Sequence, residues 1–383
     1  MNMKQKRVKV LRWDPDNKRK PRAIGVEDAF ELITLLKRGD DLWLRMGSTN
    51  AAVALGAFRR GIMVHQISYP RAMAHLGLAT SNAVEVEDDD EDDEEGFNGA
   101  NGSGKIKIMP EHIYTIAKDA PDAFYPVYAK QAEALSIIAA EKRFEDSMKL
   151  RIRGSNITRA RLQEEAVIYG TVKGHPIENK EEVAGFIDAE LGAKDEKGKK
   201  LAPADPRIQM LMAAEDQAGR HLDAVMKDSP LVEAVFGSID GVGSRIGARF
   251  IRAIERIERF PKSHDLLNYA GMVPRGPQPV GGGGKLMSRR ASRGQMLARR
   301  SQLNMACRLF QDQIFGFGRK TPFGQELTAQ IERECPCTPE QRKESKELRI
   351  KHMVAVKRAR INITRSLLKT IYRRWRDYMR DAS

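Results

Sequence analysis

Eleven residues, Gly237-Ser-Ile-Asp-Gly-Val-Gly-Ser-Arg-Ile-Gly247, place four glycines between two apolar stretches, and this spacing constrains the fold more than any other feature. Glycine reaches backbone conformations closed to other residues, so Gly241 and Gly243 predict a tight turn between two short helices. Gly247 predicts a close approach of helix and hairpin, where a side chain would intrude. The second helix is predicted to start near Ser244, with an amphipathic run from Ala248 to Phe260. Its first N–H groups lack partners within the helix and lie at the positive end of its dipole, which suits a phosphate. A plain corner between two helices uses the same glycines, and short glycine motifs often occur without a ligand.

The residues after the hairpin favour the phosphate. Between Asp265 and Asp312 there is no carboxylate, yet there are eight basic residues: Arg275, Lys285, Arg289, Arg290, Arg293, Arg299, Arg300 and Arg308. A solvated helix face normally mixes signs, because oppositely charged pairs add local stability. An unbalanced run beside the glycine loop Gly281–Gly284 implies an anionic partner. The run has no wide apolar face, so nucleic acid is expected and a membrane surface is not. The expected nucleic-acid-binding residues are Gly241, Gly243, Arg245, Arg275, Lys285, Arg289, Arg290, Arg293, Arg299 and Arg300. A hairpin of this kind grips the backbone and carries no base preference.

The charge of the whole chain agrees. Residues 231–383 hold 31 Lys/Arg against 14 Asp/Glu. Ten acids in the eleven positions Glu85–Glu95 mask part of the surplus, which without them rises from +14 to +24. Such an excess implies a polyanion bound with salt-sensitive affinity. No run reaches the length of a membrane span, and no apolar segment follows the basic start Met1–Arg7, so a cytoplasmic protein is expected. Cys307, Cys335 and Cys337 suit a reducing compartment. Cys335-Pro-Cys337 with His352 offers soft-metal donors, but the spacing is unusual and a fourth ligand is missing, so no metal ligand is assigned.

Three regions are predicted. Residues 1–125 alternate strands (7–13, 41–46, 62–67) with helices (26–37, 51–60), which implies a parallel or mixed α/β layer. An acidic, then Gly/Asn/Ser-rich insertion at 85–104 is expected to be disordered. Residues 126–230 read as an arm of two long helices, 126–170 and 206–227. Residues 231–383 read as mainly helical, with helices at 302–315 and 346–380 joined by a variable connection at 321–340.

The ordered segments Ile239-Asp-Gly-Val-Gly-Ser-Arg-Ile-Gly-Ala248, Arg259-Phe-Pro-Lys-Ser-His-Asp-Leu-Leu-Asn-Tyr-Ala-Gly-Met-Val-Pro-Arg275 and Ser292-Arg-Gly-Gln-Met-Leu-Ala-Arg-Arg-Ser-Gln-Leu-Asn-Met-Ala306 are followed by Val356 to Tyr372. Together they resemble the C-terminal transposase domain of the insertion sequence 110/116/902 family, over about 235–376. The resemblance implies an N-terminal domain like RuvC and RNase H with Asp/Glu ligands for Mg²⁺. It also implies a coiled-coil arm that supports a dimer or tetramer, a nucleophilic serine, DNA as substrate and a structured guide RNA. Here the RuvC-like domain is truncated and degenerate, and the C-terminal domain carries the helix-hairpin-helix.

The catalytic residues do not align. The family's serine falls where this chain reads Gln278-Pro-Val-Gly281, and Ser288 lies well downstream. The expected carboxylate positions fall on Arg45–Ser48 and on Met109 and His112, leaving only Asp14 and Glu111 nearby. A serine nucleophile needs placement and Mg²⁺ needs converging oxygens, so none of Asp14, Glu111 or Ser288 is assigned a catalytic role. The leading expectation is a DNA-binding, and RNA-binding, relative of these transposases with its chemistry lost or displaced. An active RNA-guided recombinase with relocated residues and Mg²⁺, or an architectural or regulatory DNA-binding protein, are the alternatives.

Overall fold

The computed structural model describes residues 8–12, 22–26, 28–77, 108–192, 201–272, 302–318 and 320–380. The chain forms two compact units, Met1–Ala139 with Lys227–Ser383, and Ala140–Met226.

The first unit opens with an antiparallel pair, β1 (Val8–Arg12) and β2 (Arg22–Val26), with Val8 opposite Val26. The second of these strands is not evident from the sequence. Helix α1 (Ala29–Leu35) starts after Val26 has been taken into β2, and Asp28 caps it by accepting the Glu31 N–H at 2.8 Å. Strands β3 (Asp41–Arg45) and β4 (Met63–Ile67) run parallel, with Asp41 beside Met63. Parallel neighbours need a crossover, which α2 (Ser48–Arg59) supplies. Ala51, Ala54 and Ala57 are fully buried on one face of α2, at the spacing of successive turns. After α3 (Tyr69–His75) and α4 (Pro110–Asp119), β5 (Tyr125–Pro126) adds antiparallel to β4, giving the order β3-β4-β5. The expected mixed α/β layer is therefore present. Ile67, Ala72, Ile116, Ala117, Ala123 and Phe124 form its core.

Helix α5 (Ala129–Tyr169) begins in this unit, and the second unit starts within it at Ala140. A two-residue hairpin pair, β6 (Thr171–Val172) and β7 (His175–Pro176), leads to α6 (Lys180–Leu191) and α7 (Pro206–Lys227). Within the second unit α5 and α7 pack antiparallel. Arg151 pairs with Glu215, a side chain at Gly154 would meet Leu211 Cδ1 at 2.6 Å, and Thr158 donates to Asp205 at 3.1 Å. The arm's helices thus pair inside one chain. Leu162, Val172 and Ile187 close a small core beside them.

The first unit resumes with α8 (Pro230–Phe236), capped by Ser229, and α9 (Ser244–Ile254). The predicted run to Phe260 is broken at Glu255, whose φ of 55° leaves the helical region, and a short 3-10 turn follows at Ile257–Arg259. Then come α10 (Ser263–Tyr269), α11 (Gln302–Gly316), α12 (Pro322–Glu334), α13 (Pro339–Glu344) and α14 (Lys346–Arg380). The variable connection expected at 321–340 is mostly helix. Thr321 and Thr338 cap α12 and α13, each ahead of a proline in the first turn.

Helix α14 organises this half. It buries Ala355, Ala359, Ile363, Leu367, Ile371 and Trp375, one residue in four. Four residues make slightly more than a turn, so the stripe winds around the helix and meets α13, α12, α11, α10 and α8. Among the described residues no helix is long and apolar enough to cross a membrane.

Candidate nucleic-acid interface

The α8–α9 hairpin has the predicted start at Ser244, but its two central glycines do different things. Gly241 adopts φ 88°, where a side chain is strained, and its Cβ would lie 2.5 Å from Ile314 Cδ1 of α11. Gly243 has φ −75°, which any residue adopts, so the expectation that both glycines make the turn is corrected. Gly243 instead leaves the helix start bare. It is exposed, a Cβ there would meet nothing within 4 Å, and no side chain caps α9. Arg245, in the first turn, is also exposed, and the first turn holds no acid. A cation at this end opposes the helix dipole, and a bound anion would reverse that penalty. Gly247 is buried, in keeping with close packing.

Arg252 near the end of α9, and Arg256 and Arg259 beyond it, face inward. Arg252 is 4% exposed and donates to Ser48 Oγ at 3.4 Å. Arg256 is 3% exposed, donating to the Tyr125 carbonyl at 3.1 Å and the Pro126 carbonyl at 2.9 Å, with its guanidinium over the Tyr125 ring. Burial lowers the proton affinity of Arg256, while Glu258 at 3.9 Å and Tyr125 act in the opposite sense. Arg259 pairs with Glu255 at 3.1 Å and lies over Phe260 and Tyr269. Composition counts these three as DNA-facing charge, whereas packing uses them to hold β5, α2 and α10. Helical spacing gives no signal for the last two, because they follow the break at Glu255.

Arg275, Lys285, Arg289, Arg290, Arg293, Arg299, Arg300 and Ser288 lie outside the described residues. Their flanks are fixed. Asn304 of α11 donates to the Ala270 carbonyl at 3.0 Å, and Arg365 of α14 donates to the Met272 carbonyl at 2.5 Å. The basic segment thus leaves and rejoins the fold at neighbouring points. Gly241 touches the other end of α11, twelve residues from Gln302, or roughly 18 Å of helix away. The hairpin and the roots of the basic segment are therefore separate places on one face-forming helix.

On α14, Arg358 pairs with Glu334 at 3.4 Å, Arg360 pairs with Asp312 at 3.1 Å over Phe315, and Arg374 donates to the Val235 carbonyl at 3.3 Å. Part of this helix's positive charge therefore has internal partners.

At the carboxyl end of β3, Arg45 lies 6.0 Å from the Tyr69 ring, Asn50 donates to the Arg45 carbonyl, and Ser48 receives Arg252. This end is cationic, which does not fit Mg²⁺. Glu111 lies in the first turn of α4, and Asp14 is outside the described residues. Among the described residues no carboxylates converge as a ligand group.

A small mixed sheet thus joins a mainly helical C-terminal part, whose hairpin presents a bare helix start at one end of α11, while the basic segment is rooted at the other. Residues 233–311 match the transposase IS116/IS110/IS902 family, so this stretch is similar to the transposase domain of that family. No curated protein matches the chain.

Proposed function

We propose that this chain is a DNA-binding member of that transposase family, which also holds a structured RNA and has lost or displaced its catalytic groups. The observation that carries the reading is the matched stretch itself. It contains the bare start of α9, Arg245, and the whole carboxylate-free basic run from Arg275 to Arg300. Gly241, Gly243 and Arg245 would hold one phosphate at the helix-hairpin-helix, while the basic run follows the backbone further on. The degenerate RuvC-like reading of residues 1–125 is supported by the cationic end of β3, where the family's chemistry calls for acids. Assembly into a dimer or tetramer through the arm belongs to the same proposal. Leu150 and Ile157, seven residues apart on α5, are 56% and 61% exposed.

Binding of duplex DNA followed by fluorescence anisotropy over a range of salt tests it. Arg289→Ala with Arg290→Ala should weaken binding on all sequences and lower the slope of log K against log salt by about two. An unchanged slope would remove the basic run from the interface. Mg²⁺-dependent strand cleavage that disappears in Asp14→Ala or Ser288→Ala would overturn the loss of chemistry and favour an active recombinase. Sequencing of co-purified nucleic acid separates guided from general binding: a discrete structured RNA supports the first, random fragments the second.

A further inference from the structure

The turn between α12 and α13 sets two neighbouring cysteines beside a histidine of α14, making a group of three metal donors. Cys335 closes α12, its N–H bonded to the Ile331 carbonyl at 2.9 Å. The Cys337 N–H then donates back to the Cys335 carbonyl at 2.8 Å, a three-residue turn centred on Pro336. The proline ring fixes φ close to the value this turn needs at its centre, so the two cysteines are held on one side. Their sulfurs are 3.0 Å apart. His352, in the second turn of α14, completes the group, and the Sγ, Sγ and imidazole donor atoms all lie within 4.8 Å of one another. Among the described residues it is the one such cluster.

Its chemistry is selective. Thiolates and imidazole prefer zinc to the hard cations that oxygen ligands take. Tetrahedral zinc with bonds of about 2.3 Å holds two sulfurs ~3.8 Å apart, so the cysteines need to part by less than about 1 Å. Cys335 is buried, and His352 Nδ1 is buried without a hydrogen-bond partner. Two thiolates balance the charge of a divalent ion, so the neighbouring Arg342 and Lys351 oppose no net charge. Arg342 is nonetheless a competitor. Its Nη1 lies 2.5 Å from His352 Nε2, and a guanidinium can only donate, so that nitrogen accepts. Metal at either ring nitrogen requires Arg342 to withdraw. Its Nε bond to the Thr338 carbonyl keeps the rest of the side chain in place.

We propose that Cys335, Cys337 and His352 bind one zinc ion, with water as the fourth ligand. Binding releases the two thiol protons. The ion ties the end of α12 and the start of α13, a helix that buries no residue of its own, to α14. The inference is independent of the nucleic-acid reading, and it needs no contact with DNA.

Cobalt titration of the reduced, metal-free full chain tests it. One equivalent should give a thiolate-to-cobalt charge-transfer band and the visible bands of a tetrahedral site, and zinc should displace both. Cys337→Ser, at a half-buried position that should leave the fold intact by circular dichroism, should lose the charge-transfer intensity of one thiolate and bind at least tenfold more weakly. His352→Gln should also weaken binding at least tenfold, whereas Arg342→Met should tighten it. Cys307 is fully buried in α11, and Cys307→Ala should leave the spectrum unchanged. Absence of the band, its survival in Cys337→Ser at full strength, or a Cys335–Cys337 disulfide in protein kept under reducing conditions would each overturn the site.

Discussion

Asp205 shows how one side chain sets the start of an element. It precedes Pro206, and its carboxylate accepts the Arg207 N–H at 2.8 Å and the Thr158 hydroxyl at 3.1 Å. Burial pushes its carboxyl up, but these bonds, the Ile208 N–H and the charge of Arg161 outweigh it and hold it below the ordinary carboxylate range. A carboxyl lowered by folding adds stability that is full above the unfolded value, about 3.9, and disappears as pH falls through the lower folded value. The second unit should therefore lose stability at acid pH, below the ordinary range. Asp205→Asn keeps the cap but cannot ionise, so its unfolding temperature should be flatter with pH, while Asp205→Ala should cost about 1 kcal/mol at neutral pH. Thermal unfolding of the three proteins from pH 7 down to pH 2 checks this. Equal acid sensitivity in wild type and Asp205→Asn would remove Asp205 from the account. Residue by residue, the sequence showed identity but not direction. Arg245 lies in the first turn of α9 and Arg256 just past its end, and the residue type alone does not say that one faces solvent and the other is buried.

At the level of elements, legibility followed the length of the buried stripe. The predicted bounds of α7 and α14 coincide with those observed, because long helices repeat their apolar pattern many times. The short elements β2, α6, α12 and α13 were missed. Their apolar content is small, and capping defines them more than periodicity does. Thr338-Pro-Glu-Gln341, a threonine three residues ahead of a glutamine, was a readable helix start. The bare start of α9 was legible in Gly243 and Ser244, but the break at Glu255 was not, since no proline or glycine marks it. That break lets Arg256 reach Tyr125 and Pro126. Arg256→Lys cannot donate to both carbonyls in the same geometry, and Arg256→Ala leaves both without that donor, costing about 3 kcal/mol. Both variants should unfold at lower temperature, yet retain DNA affinity and its salt slope while folded. The Arg289/Arg290 pair should show the reverse pattern. A fall in affinity for folded Arg256→Lys as large as for Arg289→Ala with Arg290→Ala would mean that the buried arginine belongs to the interface after all.

For the whole molecule the deciding quantity is how its charge is distributed. The basic surplus of residues 231–383 and the ten acids of Glu85–Glu95 are on one chain. Internal pairs such as Arg360 with Asp312 already remove part of the basic charge from use, whereas the segment 275–300 has seven Lys/Arg and no acid of its own. If the acidic segment competes for this charge, deleting residues 85–95 should raise DNA affinity several-fold at low salt. The gain should shrink as salt rises, because screening weakens the internal competitor along with the DNA contact. Replacing the same residues by Ser and Gly should give the same gain, which separates charge from length. Competition binding with labelled duplex at increasing salt measures this directly. Equal affinity for wild type and deletion at every salt concentration would mean that the acids keep the chain soluble and play no part in binding.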